Sequence, residues 1–152
     1  MISSRAKYAT RAVLDLALRE GQKPVPIHDI GERQRIPVKF LEQILLALKR
    51  CGFVQSRKGP GGGYYLAVPA QSITLGAVVR AMDGPIAPIS CVSLSGYMEC
   101  GCPAPDRCGL RAVWKDARDA LAEVLDKTTY ADLRDRQLAL EQGDALVLLY
   151  EI

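Results

Sequence analysis

IPVKFLEQILLALKRCGFVQSRKGPGGGYYLAV, residues 36–68, is the stretch that settles the fold. Its first half is bracketed by Pro37 at the entry and Gly52 at the exit, the order that favours a helix between them. Leu41, Ile44, Leu45 and Leu48 recur at i, i+3, i+4 and i+7, so they form one apolar stripe. Lys39, Glu42, Gln43, Lys49 and Arg50 then fall on the other side. The second half changes character. Phe53, Val54, Tyr64, Tyr65, Leu66 and Val68 have β propensity, and Gly59, Pro60, Gly61, Gly62 and Gly63 between them are too glycine-rich for a helix. The sequence predicts a hairpin whose glycine turn, at Gly61 and Gly62 above all, lets backbone approach another molecule closely.

Outward from there, a short helical piece, IHDIGERQ, precedes the amphipathic helix, and the two make a helix-turn-helix. A hairpin tipped with Arg57 and Lys58 directly after the second helix is the wing of a winged helix. A phosphate-cradling nucleotide loop would need Gly-Lys-Ser/Thr opening a helix, whereas here tyrosines open a strand. Upstream, Ala9, Ala12, Val13, Leu16 and Ala17 mark a core-facing helix over 3–19. Charge follows the same division. Residues 1–68 carry twelve Lys and Arg against five Asp and Glu, an excess of seven positive charges, and the remainder carries eight against twelve. The basic half points to a polyanion.

Downstream of the wing, Thr74 is placed to cap a helix, LGAVVRAMDG, that packs back on the first. Then comes ISCVSLSGYMECGCPAPDRCG, with Cys91, Cys100, Cys102 and Cys108, and after it a long amphipathic helix with Leu110, Val113, Trp114, Ala117, Leu121, Val124 and Leu125 on one stripe. Such a helix at the end of a small chain buries its stripe either within the monomer or against a second copy, and two-fold half-sites favour the homodimer. The expected fold is mainly α with a small β-hairpin: a winged helix-turn-helix over 1–84, a cysteine-rich cluster loop over 85–109, a dimerisation helix over 110–136 and a tail over 137–152. The tail, LEQGDALVLLYEI, carries no readable motif and is expected to be disordered or to form a swapped strand.

The class is bounded by composition. At 49% hydrophobic and 24% charged, the chain's 152 residues suit a globular fold. No apolar run approaches the roughly 18 residues of a membrane span, and MISSRAKYAT lacks a secretory h-region. A cytoplasmic protein with no membrane partner is the expectation. There is no Gly-x-Ser-x-Gly elbow and no His-Glu-x-x-His, and one histidine cannot furnish most acid-base sites, so the expected protein is not an enzyme.

In a reducing compartment, clustered cysteines bind metal or sense redox more readily than they form permanent disulfides. Thiolates are the soft ligands an iron-sulfur cluster, [2Fe-2S] or [4Fe-4S], requires. A zinc ribbon would show Cys-x(2 to 4)-Cys pairs, which are absent. A cluster held by Cys91, Cys100, Cys102 and Cys108 is the main reading; a cluster-free regulator switched by thiols, zinc or a protein partner is the alternative. On the basic face, Lys39, Lys49, Arg50 and Arg57 suit phosphate anchoring, and Glu42 and Gln43 can read cytosine and adenine edges. Glu42 has an equally good role as a solvated partner of Lys39 or Lys49.

The opening SSRAKYATRAVLDLAL, the helix FLEQILLALKRCGFV, the wing RKGPGGGYYL and the Cys102–Cys108 spacing before LRAVW resemble the IscR/NsrR-type winged-helix transcriptional regulators over residues 1 to about 135. The resemblance implies an operator-binding homodimer on double-stranded DNA whose affinity depends on a cluster. It assigns base and backbone contacts to Val38, Lys39, Glu42 and Gln43 and sends Lys58 into the minor groove. It also implies three cysteine ligands, the last being Cys108, with Cys100 and Cys102 both open as partners.

The chain departs from that pattern three residues after the last cysteine. Arg111 stands where the IscR branch has a ligating histidine, and Asp15 is the only acid near the first-helix position that other branches use. The fourth ligand is therefore either the extra cysteine or an exogenous group. His28 is expected to be an N-terminal helix residue, Cys51 a small buried apolar residue and Trp114 a core or interface anchor beside the cysteine loop.

Overall fold

The computed structural model describes residues 2–143. Six helices and one hairpin run in the order α1 Ser4–Ala17, α2 Ile27–Gln34, α3 Val38–Arg50, β1 Val54–Arg57, β2 Gly63–Leu66, α4 Leu75–Asp83, α5 Gly109–Lys127 and α6 Tyr130–Glu141 among the described residues. The mainly helical fold with a small hairpin is thus as the sequence predicts.

Apolar spacing places the core where α1, α3 and α4 meet. Ala9, Ala12, Val13 and Leu16 pack against Leu41, Ile44, Leu45 and Leu48, and Val78 and Met82 close the other side. Truncating one of these leucines to alanine is expected to cost about 2–5 kcal/mol. Ser3 caps α1 by accepting from the Ala6 amide at 3.1 Å, and its own amide donates to Asp83 at 2.8 Å, which ties the start of α1 to the end of α4. Thr74 caps α4 as expected, accepting from the Ala77 amide.

The tight turn between α2 and α3 is built by Arg35 in the left-handed region, φ 51°, and by the Ile36 amide donating to the Gly31 carbonyl at 2.9 Å. A side chain at Gly31 would come within 3.1 Å of the Ile36 carbonyl and 3.3 Å of Val38, so this tight approach favours glycine. In the hairpin Val54 pairs with Leu66, Gln55 with Tyr65, Ser56 with Tyr64 and Arg57 with Gly63. Val25 adds two hydrogen bonds to Tyr64, both 2.8 Å, and anchors the hairpin to the turn before α2.

The segment expected as one helix over 110–136 is two. The break falls at Thr128–Thr129, because Thr129 starts a capping box: its side chain accepts from the Asp132 amide at 3.1 Å and its amide donates to the Asp132 carboxylate at 2.8 Å. The Leu75 and Tyr130 amides donate to Thr128 and Ile73 carbonyls, both at 2.9 Å, which locks the break against the start of α4. Tyr130 is fully buried there, and its hydroxyl donates to the Thr10 carbonyl. Residues 137–141, expected in the tail, complete α6. The remaining expectation for the tail falls largely on 144–152, outside the described residues.

Candidate nucleic-acid interface and cysteine site

Because the apolar stripe of α3 is turned inward, Lys39, Glu42, Gln43, Lys49 and Arg50 stand exposed on its outer side. Val38 is half-buried toward Gly31, the least accessible of the residues implied as DNA contacts. Lys49 Nζ donates to Ser56 Oγ at 2.7 Å, a bond that fixes the end of the helix to the first strand of the wing. Arg57 and Lys58 lie exposed at the tip. The turn itself demands its glycines: Gly61 has φ 71°, and a Cβ at Gly62 would stand 2.3 Å from the Arg57 carbonyl. The exposed cations of the helix and those of the wing tip are tied together by that Lys49–Ser56 bond, and Glu42 is the acid among the residues singled out.

The acid considered as a ligand, Asp15, is already spent. It is 1% exposed and accepts from Arg33 Nε at 3.0 Å, Arg33 Nη2 at 2.8 Å and Gln34 Nε2 at 3.1 Å, with Arg19 at 3.2 Å. That network staples α1 to α2 and leaves no carboxylate for a metal. His28 is exposed in the first turn of α2, as expected. Cys51 is exposed rather than buried, because it caps α3 just beyond the last residue of the core stripe.

The cysteine loop lies along α5. Cys91 is buried, Cys102 and Cys108 half-buried and Cys100 exposed. The thiols interact in succession, Cys91 with Cys100, Cys100 with Cys102, and Cys102 with Cys108. Burial, followed by Cys100, pushes the Cys91 thiol up. Donation from Cys102 holds the Cys100 thiol below its ordinary value. The same contact, seconded by burial, pushes Cys102 up to about 11. Cys108 is the N-cap of α5, its sulfur accepting from the Arg111 amide at 3.4 Å. Among the described residues no three His, Cys, Asp or Glu side chains already converge on one metal position. The thiols follow one another along the loop near enough to influence each other's ionisation, and as soft donors they fit an iron-sulfur group chemically.

Two arginines hold this loop. Arg111 Nε donates to the Cys91 carbonyl at 3.2 Å with its guanidinium 5.8 Å from the Tyr97 ring centre, and Arg118, itself buried, donates to the next carbonyl, Val92. They stand seven residues apart on one face of α5, a spacing the sequence displayed but that reading did not use. A guanidinium has no lone pair to offer a metal, so Arg111 positions the loop and does not ligate. A cavity of about 510 Å³ opens between loop and helix, lined by Cys91, Cys108, Tyr97, Arg111, Lys115 and Arg118 among others.

The other face of α5 is bare. Leu110 is 73% exposed, Val113 65% and Val124 63%, and Trp114 and Leu121 are exposed beside them. Of the stripe read from the sequence, Leu125 alone is buried. Trp114 is therefore not a core residue of the monomer.

Residues 2–136 match the family model described as "Rrf2: Iron-dependent Transcriptional regulator". The chain is 38% identical over 143 residues to the HTH-type transcriptional regulator IscR of Yersinia enterocolitica, covering 94% of this chain and 84% of the relative. It is equally 38% identical to IscR of Citrobacter koseri, covering 94% and 85%. Among solved structures it resembles CymR, the global cysteine regulator of B. subtilis, with a TM-score of 0.75 and 32% identity over 90% of this chain and 97% of that one. It also resembles T. potens IscR, with a TM-score of 0.71 and 30% identity over 90% and 88%.

Proposed function

Since the chain belongs to the Rrf2 family of transcriptional regulators, we propose that it is a cytoplasmic, homodimeric, operator-binding regulator whose affinity for double-stranded DNA is set by an iron-sulfur cluster, [2Fe-2S] or [4Fe-4S]. The observation that carries the reading is the gathering of four cysteines on one loop that Arg111 and Arg118 fasten to α5.

Cys91, Cys108 and one or both of Cys100 and Cys102 would hold the cluster. When bound, it would supply a response to redox state, iron supply or nitric oxide. The rest is the work of the chain. The Cys91 and Val92 carbonyls are hydrogen-bonded to α5, so a change in loop conformation pulls on that helix. Arg80 and Asp126, paired at 2.5 and 2.9 Å, carry the displacement from α5 to α4 and so to the reader. With the apolar face of α5 against a second copy, rotation of either helix alters the separation of two readers and hence their fit to two half-sites. At each half-site Lys39, Glu42 and Gln43, flanked by Val38, enter the major groove. Lys49 and Arg50 anchor phosphates, and Arg57, Lys58 and the Gly61–Gly62 backbone follow the groove beside the wing.

No helix among the described residues is long and apolar enough to cross a membrane. The lowered Cys100 thiol, exposed beside Cys102, favours one alternative, a cluster-free thiol switch. The deciding experiment is purification without oxygen, with the visible spectrum, iron and acid-labile sulfide measured on one sample. Matching iron and sulfide under a visible chromophore supports the cluster; a colourless dimer that binds its operator only with reduced thiols supports the switch.

A further inference from the structure

Two large apolar side chains of α3 are exposed; Phe40, at 50%, packs edge-on against Tyr8 with ring centres 6.2 Å apart, and the other, on the outer face, is left unexplained by phosphate anchoring and hydrogen-bond readout. Leu46 is 49% exposed, although Leu41, Ile44, Leu45 and Leu48 of the same helix are buried. Its place is not at the margin of the core. Lys39, Gln43, Leu46 and Arg50 follow one another at i, i+4, i+7 and i+11, the spacing of a single stripe, and that stripe is centred opposite the buried one.

Isolated apolar side chains are common on protein surfaces. This one stands between Gln43 and Arg50 on an exposed helix face bearing Lys39 and Arg50, on a helix whose Lys49 is bonded to Ser56 of the wing that carries Arg57 and Lys58. A partner for that surface must be a polyanion that also offers an apolar group. Duplex DNA offers one in its major groove, the thymine C5-methyl. A protein partner would instead meet Lys39 and Arg50 along the same stripe, with no broad apolar patch to offset their desolvation.

We propose that Leu46 is a specificity-determining residue that contacts a thymine methyl one base step from the base read by Gln43. This rests on the DNA-binding function proposed above. The geometry agrees, because three helical residues rise about 4.5 Å, close to the roughly 3.4 Å between stacked bases. The leucine costs nothing to the fold and adds selectivity for an A·T-containing step, since glutamine pairs with adenine and leucine packs on thymine.

The test uses the full chain and duplexes selected from a random-sequence pool. Each thymine in the selected site is then replaced by deoxyuridine, which removes the methyl alone, and affinities are measured for the protein and for Leu46→Ala. One thymine per half-site should be sensitive, losing about fourfold, the equivalent of one buried methyl group. Leu46→Ala should bind the thymine and uracil duplexes equally while keeping its thermal stability. Selection of a defined site in which every deoxyuridine is tolerated, or in which Leu46→Ala stays as sensitive as the parent, would overturn the assignment and leave the DNA-binding function standing. Failure to select any sequence would remove both.

Discussion

Arg111 Nε stands 3.2 Å from the carbonyl oxygen of Cys91, so the first charged side chain of the long helix holds the first cysteine of the loop. Arg118 repeats the contact two turns on with Val92, and the loop has no comparable hold on the reader helices among the bonds described. Loop and helix are therefore fastened to each other.

Arg118→Ala should loosen that fastening. The Val92 carbonyl would be left buried without its donor, a loss of about 1–3 kcal/mol. Amide exchange over residues 91–93 should accelerate about tenfold or more, in proportion to that loss, with little change in α3. Equal exchange in both proteins would show that the arginine does not restrain the loop.

The exposed stripe of α5 predicts oligomeric state. Val113→Asp should convert a dimer to a monomer in sedimentation at micromolar concentration. Helix content should be kept, because Val113 is already 65% exposed in the isolated chain. A dimer that persists unweakened would move the interface elsewhere.

At the wing, Gly62→Ala places a methyl 2.3 Å from the Arg57 carbonyl and must reshape the turn. Operator affinity should fall at least tenfold while the denaturant midpoint shifts little, since the tip is outside the core. Unchanged affinity would take the wing out of the interface.

Asp15 staples α1 to α2, and breaking a buried pair of this kind leaves charges without partners. Asp15→Ala should lose about 3 kcal/mol in urea unfolding. A loss below about 1 kcal/mol would mean that the arginines find water instead.

Three carboxyls are held below their ordinary values, Glu123 by Lys127 on the exposed face of α5 and two others at the α4–α5–α6 junction that bear on acid stability. The Arg80 guanidinium holds Asp126 below its usual value, and the Thr129 hydroxyl does the same for Asp132. A depressed folded-state value means stability that is complete above the unfolded chain's value and is lost as pH falls through the folded one. Stability should thus decline below about pH 4, and Asp126→Asn should make the decline shallower. Urea midpoints across that range give the answer; parallel curves for the two proteins would exclude the Arg80 pair as a contributor.

The reader was legible because its physics is local. Pro37, the leucine stripe of α3 and the glycine turn each act over a few residues, and the structure returns them as helix and hairpin. The capping box at Thr129 was equally local, yet the segment across it read as continuous helix. Asp15 and Arg111 could not be placed from spacing, since their partners Arg33 and Cys91 lie eighteen and twenty residues away. Exposure at Cys51 and Leu46 depends on where the core ends, which periodicity alone does not mark.

In this mechanism the cysteine loop is coupled to the reader, and operator affinity measures the coupling. Protein purified without oxygen is split, one half is stripped of iron by a chelator, and both are titrated against the selected duplex under reducing conditions, alongside Cys108→Ala. An affinity difference of about tenfold or more between the halves, lost in Cys108→Ala, is expected; identical affinities for both halves and for the variant would uncouple the loop from the reader.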